Sequence, residues 1–382
     1  MALLERARHG ARWLLASRRR SAGGLALAVL AIAGGGFLFA WTGAYNIAAS
    51  RGHFAVVEHM LRFGMVQSVR ARAPTGPVPD LTDPSLISLG AAHFEAGCAY
   101  CHGAPGRPIS AVVRGMLPTP PDLADLEGKW RDGELFWIVK HGIKYTGMPG
   151  WPELERDDEI WAVVAFLRRF PGLDRLGYEK LARGEVEIPP GSGAEIAVGE
   201  TPADAAGACA RCHGAGNPPV SELVPRLHGQ PAAMLETALR DYASGQRQSG
   251  IMQFAANSLS EDEIRRLAGY YAKLPPLPAR PVTADAETIA RGERLAQEGD
   301  AGRDIPACLS CHSAAARPDY PRLAGQPARY LEGQLRLRQR GLNQHSATGA
   351  IMAPVARHLS EADIVAASAY FASRSLQSEA RR

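Results

Sequence analysis

CAYCH (98–102), CARCH (209–213) and CLSCH (308–312) are three copies of one five-residue pattern, and together they use all six cysteines of the 382-residue chain. C-x-x-C-H is the attachment pattern of haem c. Two thiols on one helical turn form thioethers with the two vinyl groups of a single porphyrin, and the His that follows reaches the iron from the same turn. The pattern predicts three covalently bound haem c groups. They attach at Cys98 and Cys101, at Cys209 and Cys212, and at Cys308 and Cys311, with His102, His213 and His312 as proximal iron ligands.

Other uses of paired cysteines fit less well. A disulfide scaffold belongs to a small chain poor in core, not to 382 residues with six Cys. A thioredoxin-like pair sits in an α/β pattern, which does not surround these pairs. A structural zinc site needs four ligands, and each pattern supplies three before running into Gly or Ser.

Charge is unevenly placed. Residues 1–21 hold six Arg and one Glu, whereas the remainder holds 37 basic and 38 acidic residues, so no basic surface for nucleic acid is indicated. The Arg-rich start precedes an uncharged run, 21–50, with an apolar core LALAVLAIAGGGFLFAW (25–41). With its flanks this reaches the roughly 20 residues that span a bilayer. Lys and Arg stay on the cytoplasmic side, which places all later residues outside. The competing reading is a cleaved signal peptide with a site near 42–44; the length of the apolar run favours an uncleaved anchor.

After a periplasmic tether (49–83), whose first part has Phe54, Val57, Leu61 and Met65 at helical spacing, come three units. Unit one covers 84–174. Its helix before the motif places Gly90 four residues ahead of Phe94, and its last helix, 157–170, shows Ile160, Val163, Val164 and Leu167 on one face, with Asp157 or Asp158 as cap. A polar linker is expected over 175–193, then unit two over 194–277 and unit three over 278–382. Units two and three are repeats: PRLHGQPAAMLETALR from Pro225 matches PRLAGQPARYLEGQLR from Pro321 at an offset of 96. The offset becomes 100 at Ile251-Met252 and Ile351-Met352, so unit three carries four extra residues within about 342–350. Both final helices follow a Ser cap.

These motifs carry a resemblance. Residues 194–382 resemble the tandem di-haem cytochromes c-four, through C-x-x-C-H, P-x-L-x-G-Q, the I-M loop and the S-E-x-[DE]-I helix. Residues 84–172 resemble a class I monohaem cytochrome c, and residues 1–82 the anchor of membrane-bound bacterial respiratory cytochromes. The resemblance implies an all-α fold: three class I cytochrome c domains in tandem after one N-terminal transmembrane helix. It also implies Pro carbonyls as partners of the proximal His, at Pro121, Pro225 and Pro321.

Met148, Met252 and Met352 recur between motif and closing helix, 46, 39 and 40 residues after their His. A lone Met is usually a core filler, but this recurrence marks them as distal ligands. His141 is the rival to Met148; Met116, Met234, His228, His345 and His358 read as packing or surface residues. Met/His ligation fills the iron's coordination sphere and raises its potential, so electron transfer rather than catalysis is expected. The resemblance implies a respiratory carrier in the bacterial inner membrane, with its haems in the periplasm. The donor would be a quinol–cytochrome c reductase or periplasmic dehydrogenase and the acceptor a terminal oxidase. The alternatives are a cytochrome subunit of a membrane-bound alcohol or sugar-acid dehydrogenase and, with one displaceable ligand, a haem peroxidase.

Overall fold

A computed structural model describes residues 2–48, 51–184, 202–279, 281–313 and 317–376; part of the expected linker (185–193), the start of unit two (194–201) and the last six residues lie outside them. The described residues are helical and contain no β-strand. Residues 1–58 and 59–382 form two separate bodies.

The first body holds α1, Ala2–Trp41. Its stretch Ala22–Trp41 has a mean hydropathy of 2.0 and no buried residue, a helix apolar and long enough to cross a membrane or to serve as a signal sequence. Tyr45 stacks on His53 beyond it. Helix α2, Ala55–Arg72, is longer than its apolar spacing suggests, and Val69 near its end is fully buried.

Unit one begins with α3, Pro84–Gly97. Asp83 caps it by accepting from the Ser85 N–H (2.9 Å), and Pro84 occupies the first turn, where no N–H is needed. It runs into α4, Ala99–His102, which holds the first motif; α5 (Ala111–Arg114) and α6 (Asp132–His141) follow. Helix α7, Asp157–Arg169, buries the expected face, Ile160, Val163, Val164 and Leu167, but its cap position is Arg156, not Asp157 or Asp158. Helices α3 and α7 touch backbone to backbone at Gly90: a Cβ there would lie 1.9 Å from the Ala162 carbonyl oxygen. Phe94, one turn later, packs 5.2 Å from Phe166, 5.3 Å from Phe170 and 6.3 Å from Tyr178.

Tyr178 belongs to α8, Arg175–Arg183, in the stretch read from sequence as the start of a linker. The structure differs because one face of this polar helix is anchored. Tyr178 and Ala182 are buried against α3, and the Tyr178 hydroxyl and Arg183 both donate to Glu95.

Unit two consists of α9 (Pro202–His213), α10 (Ala232–Ala243), α11 (Gly250–Asn257) and α12 (Glu261–Lys273). Unit three consists of α13 (Ala286–Gln297), α14 (Leu309–His312), α15 (Ala328–Gln339), α16 (Ala347–His358) and α17 (Glu361–Ser373). The sequence repeat reappears as matched helices: α10 with α15, α11 with α16, α12 with α17. Ser260 and Ser360 cap the last pair through reciprocal boxes with Glu263 and Asp363. Unit three repeats the close crossing of unit one, with Gly292 against the Ala366 carbonyl oxygen at 2.0 Å from an added Cβ.

Candidate functional site

All three motifs end on a helix whose His meets a proline carbonyl. Nδ1 lies 3.2 Å from Pro121 O in His102, 3.0 Å from Pro225 O in His213 and 2.8 Å from Pro321 O in His312. A carbonyl only accepts, so Nδ1 carries the proton and Nε2 is left with its lone pair. This is the tautomer a metal needs, and the carbonyl adds basicity. Burial pushes all three imidazoles below the ordinary His range, which favours the neutral ring. The thiols move the other way: burial raises Cys98 to about 12, and Cys209 and Cys308 to about 11. An activated redox dithiol requires a lowered thiol, so these cysteines lack that environment.

A cavity of about 1640 Å³ is lined by both later motifs and by Met252 and Met352. Ordinary ligand pockets hold roughly 300–1,000 Å³. Met252 lies on α11 and Met352 on α16, both half-buried. In unit one, Met148 is half-buried in the loop after α6, its N–H 3.1 Å from Thr146 Oγ1. His141 is exposed at the end of α6, with its ring 5.0 Å from Trp137. The Met116 methyl group packs against Gly147, and buried His228 donates from Nε2 to the Ala215 carbonyl. His345 and His358 are exposed.

The cavity wall fits a porphyrin bearing carboxylates. Arg247 and Arg338 line it, and the Nε of each is buried without a hydrogen-bond partner. Burial and the charge of Arg247 lower Arg338 to about 10. A buried N–H without an acceptor is costly, and carboxylates entering this cavity would supply acceptors for these two Nε atoms.

A second arrangement escaped the sequence reading. Glu159, 4% exposed at its side chain, accepts from Trp151 Nε1 (3.0 Å) within unit one. From unit two it accepts the Ser249 hydroxyl and the Gly250 N–H (2.8 Å), and Arg156 pairs with it at 2.9 Å. Trp151 follows Met148 by three residues, and Ser249 caps the helix that carries Met252. Farther on, the Gln248 N–H donates to Asn343 Oδ1 (2.6 Å) and the Asn343 N–H to Gln248 Oε1 (3.1 Å). Asn343 lies in the stretch 342–350, within which unit three carries its four extra residues.

Residues 86–167 match the family described as cytochrome C oxidase, cbb3-type, subunit III, and residues 289–375 the family described as cytochrome c. The thiosulfate dehydrogenase electron acceptor of Thiomonas intermedia is 36% identical over 177 residues, 45% of this chain and 80% of that protein. The Pseudomonas aeruginosa cytochrome c4 is 33% identical over 170 residues, 43% of this chain and 83% of that protein. A structure of reduced recombinant cytochrome c4 from Pseudomonas stutzeri is 27% identical with a TM-score of 0.40, over 46% of this chain and 98% of the other.

Proposed function

Because the chain belongs to the cytochrome c family and is an electron carrier with covalently bound haem c, we propose that it holds three haems and passes single electrons along them. The observation that carries this reading is the threefold recurrence of a motif His bound to a proline carbonyl. In this reading Cys98/Cys101, Cys209/Cys212 and Cys308/Cys311 hold the porphyrins, and the iron pairs are His102–Met148, His213–Met252 and His312–Met352. Haem c supplies reversible one-electron storage. The protein's part would be to offer Nε2 of each motif His and the thioether of each paired Met as iron ligands, and to neutralise carboxylates with Arg247 and Arg338.

The stretch Ala22–Trp41 anchors the chain in the bacterial inner membrane, and the haem units face the periplasm. Anchoring raises the effective concentration near membrane-bound partners. The donor is a quinol–cytochrome c reductase or a periplasmic dehydrogenase and the acceptor a terminal oxidase. A second reading, the electron-accepting subunit of a dehydrogenase complex, is favoured by the name of the Thiomonas relative, an acceptor for thiosulfate dehydrogenase.

A haemochrome assay after acid–acetone extraction should leave three haems per chain; two or fewer in mature protein refutes the count. Met148→Ala, Met252→Ala and Met352→Ala should each open one haem to carbon monoxide and lower its potential. If Met148→Ala leaves the ferric thioether-to-iron band intact while His141→Ala changes the spectrum, His141 is the ligand in unit one. A mild-detergent pull-down from native membranes separates the partner readings: a co-purifying dehydrogenase supports the second, an oxidase the first.

A further inference from the structure

The P-R-L-x-G-Q stretches of units two and three do more than repeat. The peptide between Pro225 and Arg226 accepts from His213 on its carbonyl, and its N–H donates to Gln326 Oε1 at 3.0 Å. The peptide between Pro321 and Arg322 accepts from His312, and its N–H donates to Gln230 Oε1 at 3.0 Å. Each Gln closes the ring by donating from Nε2, Gln326 to the Arg226 carbonyl (2.7 Å) and Gln230 to the Arg322 carbonyl (2.8 Å). Gln230 and Gln326 are 2% and 5% exposed, so water does not readily replace these bonds.

The preceding glycines set the aim. Gly229 (φ +69°) and Gly325 (φ +76°) take the left-handed conformation, and their N–H groups donate to the last helix of their own unit, at Tyr271 O and Phe371 O. Each Gly is fixed at home and each Gln crosses to the other repeat.

We infer that Gln230 and Gln326 are crossed positioning residues: the Gln of each repeat tunes the proximal His of the other. A peptide whose N–H is engaged polarises, and its carbonyl becomes a stronger acceptor. A stronger acceptor on Nδ1–H makes the imidazole a better donor to iron, which stabilises the ferric state and lowers the potential. Gln326 therefore acts on His213 and Gln230 on His312. This gives the recurring Gln of the repeat a role in the other repeat, to which its side chain bonds. The inference rests on the haem placement proposed above.

The test is a redox titration of the mature protein, with the haems resolved by the signals of their axial Met in the reduced state. Gln326→Ala should raise the potential of the His213 haem and leave that at His312 in place; Gln230→Ala should do the reverse. Gln326→Leu removes the acceptor from the Arg226 N–H at nearly constant volume, so it should raise the His213 potential without opening a cavity. This variant remains informative if the Ala variants do not mature. Shifts in the variant's own unit, equal shifts in both, or none overturn the inference. Mass analysis of the haem peptides around Cys209 and Cys308 separates the two failures: both present without a crossed shift refutes the inference alone, and a missing haem peptide refutes the proposed function.

Discussion

Unit one and the C-terminal pair fill their interiors in different ways. Unit one packs polypeptide on polypeptide: Phe94, Phe166, Phe170 and Tyr178 form an aromatic cluster continuous with Leu135, Phe136 and Ile160. Among the described residues, units two and three have smaller apolar clusters, around Leu235 and Tyr271 in one, and around Leu331 and Phe371 and around Leu295 and Ile364 in the other. The cavity of about 1640 Å³ is lined by both of these units, with Arg247 and Arg338 in its wall, and is bordered by unit one through Leu86, His93, Tyr100 and Trp161. A space of that size, with two half-buried arginines whose Nε atoms lack partners, is a folding liability until an anionic group fills it. The difference teaches how far packed side chains alone carry each part: furthest in unit one, and less in the pair, whose units also bond to one another through Gln230 and Gln326.

The largest expected effect tests this directly. Cys209→Ala with Cys212→Ala removes one haem from the shared cavity, and both C-terminal units should become protease-sensitive while unit one keeps its haem. Cys98→Ala with Cys101→Ala should leave two haems and an intact C-terminal pair. Haem staining of fragments after limited proteolysis reads both results, and equal loss of the whole chain in both variants breaks the comparison.

Next comes the charged lock on unit one. The Glu95 side chain is 5% exposed and receives Arg107, Arg183 and the Tyr178 hydroxyl. Burial opposes its ionisation, but these hydrogen bonds win and lower its pKa from 4.5 to about 2. A lowered carboxylate adds stability above its unfolded value, and that stability is lost as pH falls through the folded one. Wild-type protein should therefore lose stability between roughly pH 5 and 2 through this group. Glu95→Gln should lose about 3–5 kcal/mol at neutral pH and show a flatter acid limb. Denaturant titrations across pH measure both; an unchanged acid limb refutes the assignment.

These residues also show what could and could not be read from the chain. The all-α architecture, the haem motifs and the repeat lay in local patterns, and so did the inward face of α7. Helix α8 did not, because GYEKLAR reads as solvated until Tyr178 finds Glu95, 83 residues away. Glu159 reads as one of three acids opening a helix, favourable there for the macrodipole alone; only Ser249, 90 residues on, makes it a junction. Arg247 and Arg338 are indistinguishable by type from the exposed arginines around them. Local spacing is written in sequence, whereas partners of a buried charge are written in the tertiary fold.

A smaller effect tests what units one and three share. Gly90→Ala and Gly292→Ala each drive a methyl group into a backbone carbonyl, at 1.9 and 2.0 Å. Overpacking costs about 1–3 kcal/mol, and both variants should fall in that range by thermal melts of the haem-loaded protein. A much smaller loss at Gly292 means that the cofactor cavity, not the helix crossing, holds unit three together.

The smallest effect decides which side of the comparison unit three belongs to. It shares the cavity with unit two, yet like unit one it clamps a buried carboxylate with two arginines: Asp363, with no exposed side-chain surface, is held by Arg291 and Arg303. The matching residue of unit two, Glu263, bonds among the described residues to its own cap, Ser260. Removing a Ser cap costs about 0.5–2 kcal/mol. In Ser260→Ala, water can reach the freed N–H of Glu263, so the loss should sit at the low end. In Ser360→Ala, the Asp363 N–H loses its acceptor (3.2 Å) and Oδ2 loses a donor (2.7 Å) beside a carboxylate that water does not reach. Its loss should sit at the high end, and hydrogen exchange at the first turn of α17 should rise more than at α12. Equal losses would mean that the buried ion cluster lends the cap nothing, and unit three would then group with unit two on stability as well as on sequence.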